Sequence, residues 1–179
     1  MNIRTPLKSE IIQYSWVVPS IESAAQVWYD KLGVGPFTLM RDVPVVESMH
    51  RGGICEARFS VALAMNGGVQ IELIEQHNDM PSAYRDTVAK GATGFHHVGI
   101  LENDYDKALS YYTDEGHEVA GSGALGDVRY AYLDTTAILG HMIEVIQDTE
   151  TIRGLFAAVV QSYETWDKNK ETLVQEMET

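Results

Sequence analysis

The sequence predicts an α+β fold in which two βαβββ modules form a curved, cleft-enclosing mixed sheet, followed by a C-terminal helix. Three observations carry this reading. The order strand, helix, strand, strand, strand is met twice along the 179 residues. The two passes close on similar strands, "VQIELIEQ" and "HMIEVIQD", each with the run apolar, Glu, apolar, apolar, and such internal repetition decides the architecture. Beyond them Ile152, Leu155, Phe156, Val159, Val160, Tyr163 and Trp166 recur at helical spacing. The expected organisation is a first module over 9–78, a second over 92–149, and an amphipathic helix and tail over 150–179, fused into one domain.

The first module opens with "IIQYSWVVP", which alternates. Ile12, Tyr14, Trp16 and Val18 fall on one face, and Gln13, Ser15 and Val17 on the other, as in a strand with one apolar side. Pro19 ends it, and Ser20 is a fitting N-cap for "IESAAQVWYDKLG". Ala24, Val27, Trp28 and Leu32 form the apolar stripe of that helix, and Gly33 suits its exit. Strands follow at "PFTLM", "ARFSVALAM" and "VQIELIE", the last two joined by a hairpin at "NGG". The segment "RDVPVVESMHRGGICE" reads as a loop and accounts for about twelve residues by which the first module is the longer.

The polar stretch "QHNDMPSAYRDTVAKGATG" precedes the second pass. "FHHVGIL" is a strand. Asn103 or Asp104 caps a helix through "YDKALSYYTDEG", with Tyr105, Ala108, Leu109 and Tyr112 inward and Gly116 as the exit. "HEVAGSG", "VRYAYLD" and "HMIEVIQ" complete the module. The amphipathic helix then packs on the second sheet or on a partner chain, and the last stretch, "DKNKETLVQEMET", reads as polar and frayed.

Bulk composition narrows the class. Apolar content of 45% and charged content of 22% are those of a soluble globular protein. No apolar run approaches the ~20 residues of a membrane span, and "MNIRTPLKSE" lacks the apolar core of a secretory signal. The single cysteine, Cys55, cannot form an internal disulfide, and a cytoplasmic protein is expected. The formal net charge of −13 repels polyanions, so nucleic acid is excluded as a partner and a small-molecule substrate is expected.

The strand faces single out four residues. Adjacent strand residues point to opposite faces, so at most one histidine of "GFHHVGIL" can face a given site. With the helix-facing residues taken as His96, Val98 and Ile100, His97 falls on the other side. By the same alternation Ile71 and Leu73, and Ile143 and Val145, take the helix side. Gln13, Glu72, His97 and Glu144 therefore emerge together on the non-helix face, two per module. A helix-covered sheet presents its other side as a concave wall, and two such walls enclose a cleft. Buried carboxylates there are costly unless paired or bound to metal. A divalent cation removes that cost, and one imidazole with three oxygen donors suits a borderline or hard ion: zinc, nickel, cobalt, manganese or magnesium. Each residue alone has a plainer reading, since a strand Glu usually faces solvent; the shared placement is what points to metal. His96 is expected to pack beneath the helix or to hydrogen-bond behind the ligands. His50, His77 and His141 read as loop residues.

The segments "IIQYSWVVPSIESAAQVWYDKLGVGPF", "VQIELIEQ", "GFHHVGI" and "GHMIEVIQ" resemble the vicinal oxygen chelate superfamily, which includes glyoxalase I, methylmalonyl-CoA epimerase, extradiol dioxygenases and bleomycin-resistance proteins. The similarity spans residues 10–148, and "KLGVGPF" with the tandem "HH" is closest to the epimerase-like branch. The resemblance implies paired βαβββ modules around one metal site, with Gln13, Glu72, His97 and Glu144 at the ligand positions. Gln in first place departs from the commoner His and is similar to the set of some zinc-containing glyoxalases. With a single His among the four, iron-dependent dioxygenation is not implied. Val17, Gln76 and Thr93 stand where glutathione-using members carry Arg, Asn and Arg. For an acyl-CoA substrate, Arg41, Arg51, Arg58, Lys90 and Arg129 are the available cations.

The chemistry implied is that of an isomerase, epimerase or lyase moving a proton alpha to a carbonyl through a metal-stabilised enediolate. Glu144 is the first candidate for the base and Glu72 the second, and an epimerase needs an acid or base on each face. Leu101 and Met142 are expected to face the cleft, and a homodimer is expected from the apolar tail helix. The alternative from another class is a non-catalytic protein that binds an antibiotic or aromatic molecule on the same fold; a degenerate scaffold domain is a third.

Overall fold

The computed structural model describes Leu7 and residues 9–177; most of the opening segment read above for a signal lies outside them. The strands are β1 (Ile11–Val17), β2 (Phe37–Met40), β3 (Val46–His50), β4 (Gly53–Ile54), β5 (Phe59–Asn66), β6 (Val69–Gln76), β7 (Gly94–Glu102), β8 (Val119–Leu125), β9 (Val128–Leu133), β10 (Met142–Gln147) and β11 (Val174–Glu176). The helices are α1 (Ile21–Leu32), α2 (Ala83–Thr87), α3 (Tyr105–Thr113), α4 (Thr136–Leu139) and α5 (Glu150–Thr165). All strands join one mixed open sheet in the order β11-β2-β5-β6-β1-β7-β10-β9-β8-β3-β4. The fold is the α+β one the sequence predicts, with two mirrored quartets, β2-β5-β6-β1 and β7-β10-β9-β8, and α5 after them. In each quartet the first strand runs parallel to the last, β1 with β6 and β7 with β10; β1 and β7 join the halves antiparallel.

The helices form where their caps and apolar faces permit. The Ser20 side chain accepts from the Ser23 amide, and Gly33, at φ 70°, donates its amide to the Tyr29 carbonyl at 2.8 Å; a cap of this kind stabilises by about 1 kcal/mol. The side of α1 that is buried differs from the expected stripe. Ile21 and Ala25 are buried, and Trp28 and Tyr29 pack beside them, while Val27 and Leu32 are 57% and 67% exposed. The two stripes overlap, and the aromatic one prevails because Trp28 meets Trp16 at 4.8 Å and Tyr29 meets Trp166 at 5.5 Å. Asp104 caps α3 by accepting from the Lys107 amide, and Tyr105 and Ala108 are buried. Ile71 and Leu73 share a core with α1 residues; Val98, Ile100, Ile143 and Val145 share another with α3 residues.

Two segments depart from expectation. The expected loop after β2 holds the hairpin β3–β4, and β3 adds itself to β8 of the other half. The tail is not frayed. Leu173 is buried in the core under α1, and β11 pairs with β2 in parallel, Val174 opposite Phe37. The apolar pair Leu173–Val174 inside a charged segment was the signal for this strand; its partner edge is visible only in the fold. Between them, α5 buries Ile152 and Val159. Among the described residues no helix is long and apolar enough to cross a membrane.

Candidate metal centre

The centre forms where the two halves meet. His97 on β7, Glu72 on β6 and Glu144 on β10 each offer one ligand atom, all within 4.8 Å of one another. His97 Nε2 lies 3.3 Å from Glu72 Oε2 and 3.1 Å from Glu144 Oε2. The His97 side chain is fully buried, and those of Glu72 and Glu144 keep 12% and 9% of their exposure. Gln13 on β1 lines the same cleft as the two glutamates. Its Nε2 donates to Gln70 Oε1 at 3.2 Å, which leaves Oε1 as the free oxygen. Gly99 on β7 makes room for it: a Cβ there would stand 3.0 Å from Gln13 Oε1.

Both histidines of the tandem turn toward this centre, contrary to strict alternation. The register between β1 and β7 slips at this point, with Ser15 opposite His97 and Trp16 opposite Phe95. His96 is thus the extra residue of a β-bulge, which re-aims a side chain and bends the strand. Phe95 takes the helix-side place expected of His96 and packs with Tyr14 and Trp16. A second slip, between Ile11 and Gln13, moves Ile12 off the helix face into a cluster with Ile146, Ile152 and Phe156.

The bulge sets a hydrogen-bond chain. Short α2, capped by Ser82, presents the Ala83 carbonyl 3.0 Å from His96 Nε2. A carbonyl only accepts, so neutral His96 carries its proton on Nε2 and has a bare Nδ1. That Nδ1 lies 2.8 Å from His97 Nδ1, so His97 donates from Nδ1 and neutral His97 has its Nε2 lone pair facing the glutamates. Burial, then the adjacent His97, push His96 down to about 3, which keeps it neutral. For His97, burial opposes the charge, but Glu144 and then Glu72 outweigh it and raise the imidazole to about 9. Tyr132 packs on both rings, 5.0 Å from His97 and 5.2 Å from His96, and Tyr84 lies 5.2 Å from His96.

The two acids differ in how they are held. Ser15, opposite Glu72 in register, donates its hydroxyl to Glu72 Oε2 at 2.6 Å. Glu144 faces Gly99, which has no side chain to offer, and its polar contact is His97.

A cation fits these residues. Two buried polar atoms, His97 Nε2 and Gln13 Oε1, have no hydrogen-bond partner; Nε2 lies close to the carboxylates yet is not aligned for a hydrogen bond. Edges of 3.1 and 3.3 Å are the spacing of N and O ligands held about 2.1 Å from a shared ion.

The cleft above the centre has a volume of about 100 Å³ and is walled by apolar and aromatic side chains, with Leu155 and Phe156 of α5 among them. Among the described residues its non-aromatic polar lining is Gln13, Glu72 and Glu144, with no lysine or arginine. Arg41, Arg51, Arg58, Lys90 and Arg129 all stand away from it, each beside a carboxylate. Met142 is fully buried among Tyr84 and Tyr132, and Leu101 packs with Ile12 and Phe156; neither lines the cleft as expected. His50 pairs with Asp86, His77 bonds Ser60, and His141 bonds the Met142 carbonyl and meets Phe95. Ser15 shared the Gln13 face in the sequence alternation and could have been found there. Tyr84 and Ala83, in a stretch read as a polar connection, left no such signal.

The family model of the glyoxalase/bleomycin resistance protein/dioxygenase superfamily matches residues 12–132, more than half of the chain. The chain belongs to this superfamily. No curated protein matches the sequence. Among solved structures, a hypothetical protein from Bacillus halodurans is similar at 17% identity and TM-score 0.56, covering 80% of this chain and 97% of that one. A methylmalonyl-CoA epimerase in complex with methylmalonyl-CoA is similar at 18% identity and TM-score 0.56, over 79% of this chain and 96% of that one. The epimerase of Mycobacterium tuberculosis follows at 13% identity and TM-score 0.53, over 84% and 97%. At these identities the likeness is one of fold. As a superfamily member the chain carries the buried Glu72, His97 and Glu144 cluster on its own geometry, and α5 lies outside the matched residues.

Proposed function

We propose that the protein is a metal-dependent isomerase, epimerase or lyase that moves a proton alpha to a carbonyl. The observation that carries this is the buried Glu72–His97–Glu144 cluster with unpartnered His97 Nε2 and Gln13 Oε1 beneath an open cleft. Gln13, Glu72, His97 and Glu144 would hold the cation, which when bound supplies Lewis acidity toward a substrate carbonyl. His97 is oriented by His96 and contributes a fixed nitrogen. Glu72 is tethered by Ser15 and stays in place. Glu144, free of any such tether, takes the alpha proton on its carboxylate and returns it. The expected homodimer belongs to this proposal; exposed Val46 and Ile54 on the β3–β4 edge support it.

Two measurements test the reading. Protein purified without chelator should contain one divalent ion per chain. The loaded protein in heavy water should exchange the alpha proton of a panel of 2-hydroxyketones and 2-substituted acyl compounds. Metal-free preparations, or stoichiometric ligand binding with no exchange, would favour the non-catalytic binder instead.

A further inference from the structure

The cleft's walls constrain what enters it, given the metal reading above. Met40, Phe59, Leu63, Tyr130, Leu155 and Phe156 surround the centre with apolar surface. Two carboxylates balance a divalent ion, so the loaded floor has no surplus positive charge. Among the described residues the lining has no lysine or arginine, and none of these walls would compensate a phosphate or a second carboxylate. A cavity volume of about 100 Å³ leaves room for a compact group and not for a bulky carrier. Part of the wall is α5, which packs against β5 and β2. It is anchored beyond its end by β11 on β2 and by Trp166 on Tyr29.

We propose that the cleft takes a compact substrate whose body is uncharged, apolar and of about phenyl size, without a nucleotide or peptide carrier inside the walls. Leu155 and Phe156 of α5 set the size of that body. The substrate's polar end meets the Gln13, Glu72, His97 and Glu144 floor, and the body lies against Phe156.

The test uses hydroxamates, which present two vicinal oxygens on a chosen body. Calorimetry on the manganese-loaded full chain compares benzohydroxamate with acetohydroxamate, with coenzyme A as a third ligand. Benzohydroxamate is expected to bind at least about tenfold tighter than acetohydroxamate, as burial of a ring requires, and coenzyme A not to compete. Phe156→Ala should remove most of that ratio. Leu155→Ala should allow a larger naphthyl hydroxamate to bind, and thermal unfolding of both variants shows that they fold. Equal affinity for the two hydroxamates, an unchanged ratio in Phe156→Ala, or competition by coenzyme A would overturn this substrate class while leaving the metal centre standing. If neither hydroxamate binds the loaded protein, or both bind chelator-stripped protein equally well, the metal reading itself falls.

Discussion

His96 Nδ1 lies 2.8 Å from His97 Nδ1, so one histidine holds the proton position of the next. The pair stands in consecutive positions of one strand and still meets on one side, because a bulge places His96 out of register.

This relationship makes His96 a positioning residue. His96→Leu keeps the volume and removes the acceptor, and should weaken metal binding by about 10- to 100-fold. His96→Asn restores an acceptor near the Nδ1 place and should recover most of the loss. Competition against a fluorescent chelator reads both; equal losses in the two variants would mean that His96 only fills space.

The same pair sets a pH profile for the metal-free protein. His97 is raised to about 9, so its contribution is fully present below its unfolded value of 6.5 and is lost as pH rises through 9. His96 is lowered to about 3, so the unfolded chain binds more protons between 3 and 6.5, and stability falls as pH drops through that range. From these two groups the unfolding temperature of stripped protein should peak near pH 6.5. Metal must displace the His97 proton, so binding at pH 7 should release about one proton and strengthen with pH until about 9. Calorimetry in buffers of different ionisation enthalpy measures that proton.

Gly99 and Gln13 form a second dependent pair. Gly99→Ala would drive its Cβ to 3.0 Å from Gln13 Oε1 and 3.1 Å from Gln13 Cβ, at a cost of about 1–3 kcal/mol and some metal affinity. Adding Gln13→Ala removes the Oε1 contact but keeps the Cβ one, so it should return part of the stability and none of the affinity. Chemical denaturation of the four proteins gives the coupling; additive effects would refute the contact.

The unequal tethering of the acids predicts unequal roles. Glu144→Gln should lower alpha-proton exchange by about 10²- to 10⁴-fold. Ser15→Ala, which frees Glu72 from its 2.6 Å hydrogen bond, should cost about 1 kcal/mol of stability and little exchange. Deuterium incorporation followed by proton NMR separates the two.

The tail carries a stability prediction. Leu173 is 4% exposed within the core under α1, so Leu173→Ala should destabilise by about 2–5 kcal/mol. A frayed tail would give no measurable change in thermal unfolding.

Periodicity made the architecture legible, since apolar alternation depends only on which side of a strand is buried. It placed Ile71, Leu73, Val98, Ile143 and Val145 under helices and left Gln13, Glu72, His97 and Glu144 on the shared concave side. Caps at Ser20 and Asp104 were legible for a similar reason: a side chain that accepts from an amide three residues on is a local event. What alternation cannot show is a slip in register. The bulge that turns His96 inward and the one that moves Ile12 off the helix face arise from how β1 and β7 pair across some eighty residues.

The amino-acid order by itself therefore determined the repeated modules, the helices that cover one side of the sheet and the placement of Gln13, Glu72, His97 and Glu144 on the other. Tertiary structure alone decided that Leu173 returns to extend the sheet, that α5 walls the cleft, that Arg41, Arg51, Arg58, Lys90 and Arg129 pair with acids outside it, and that one histidine orients another. Those features depend on contacts between distant segments, whose free energies reside in packing and charge pairing rather than in local propensity.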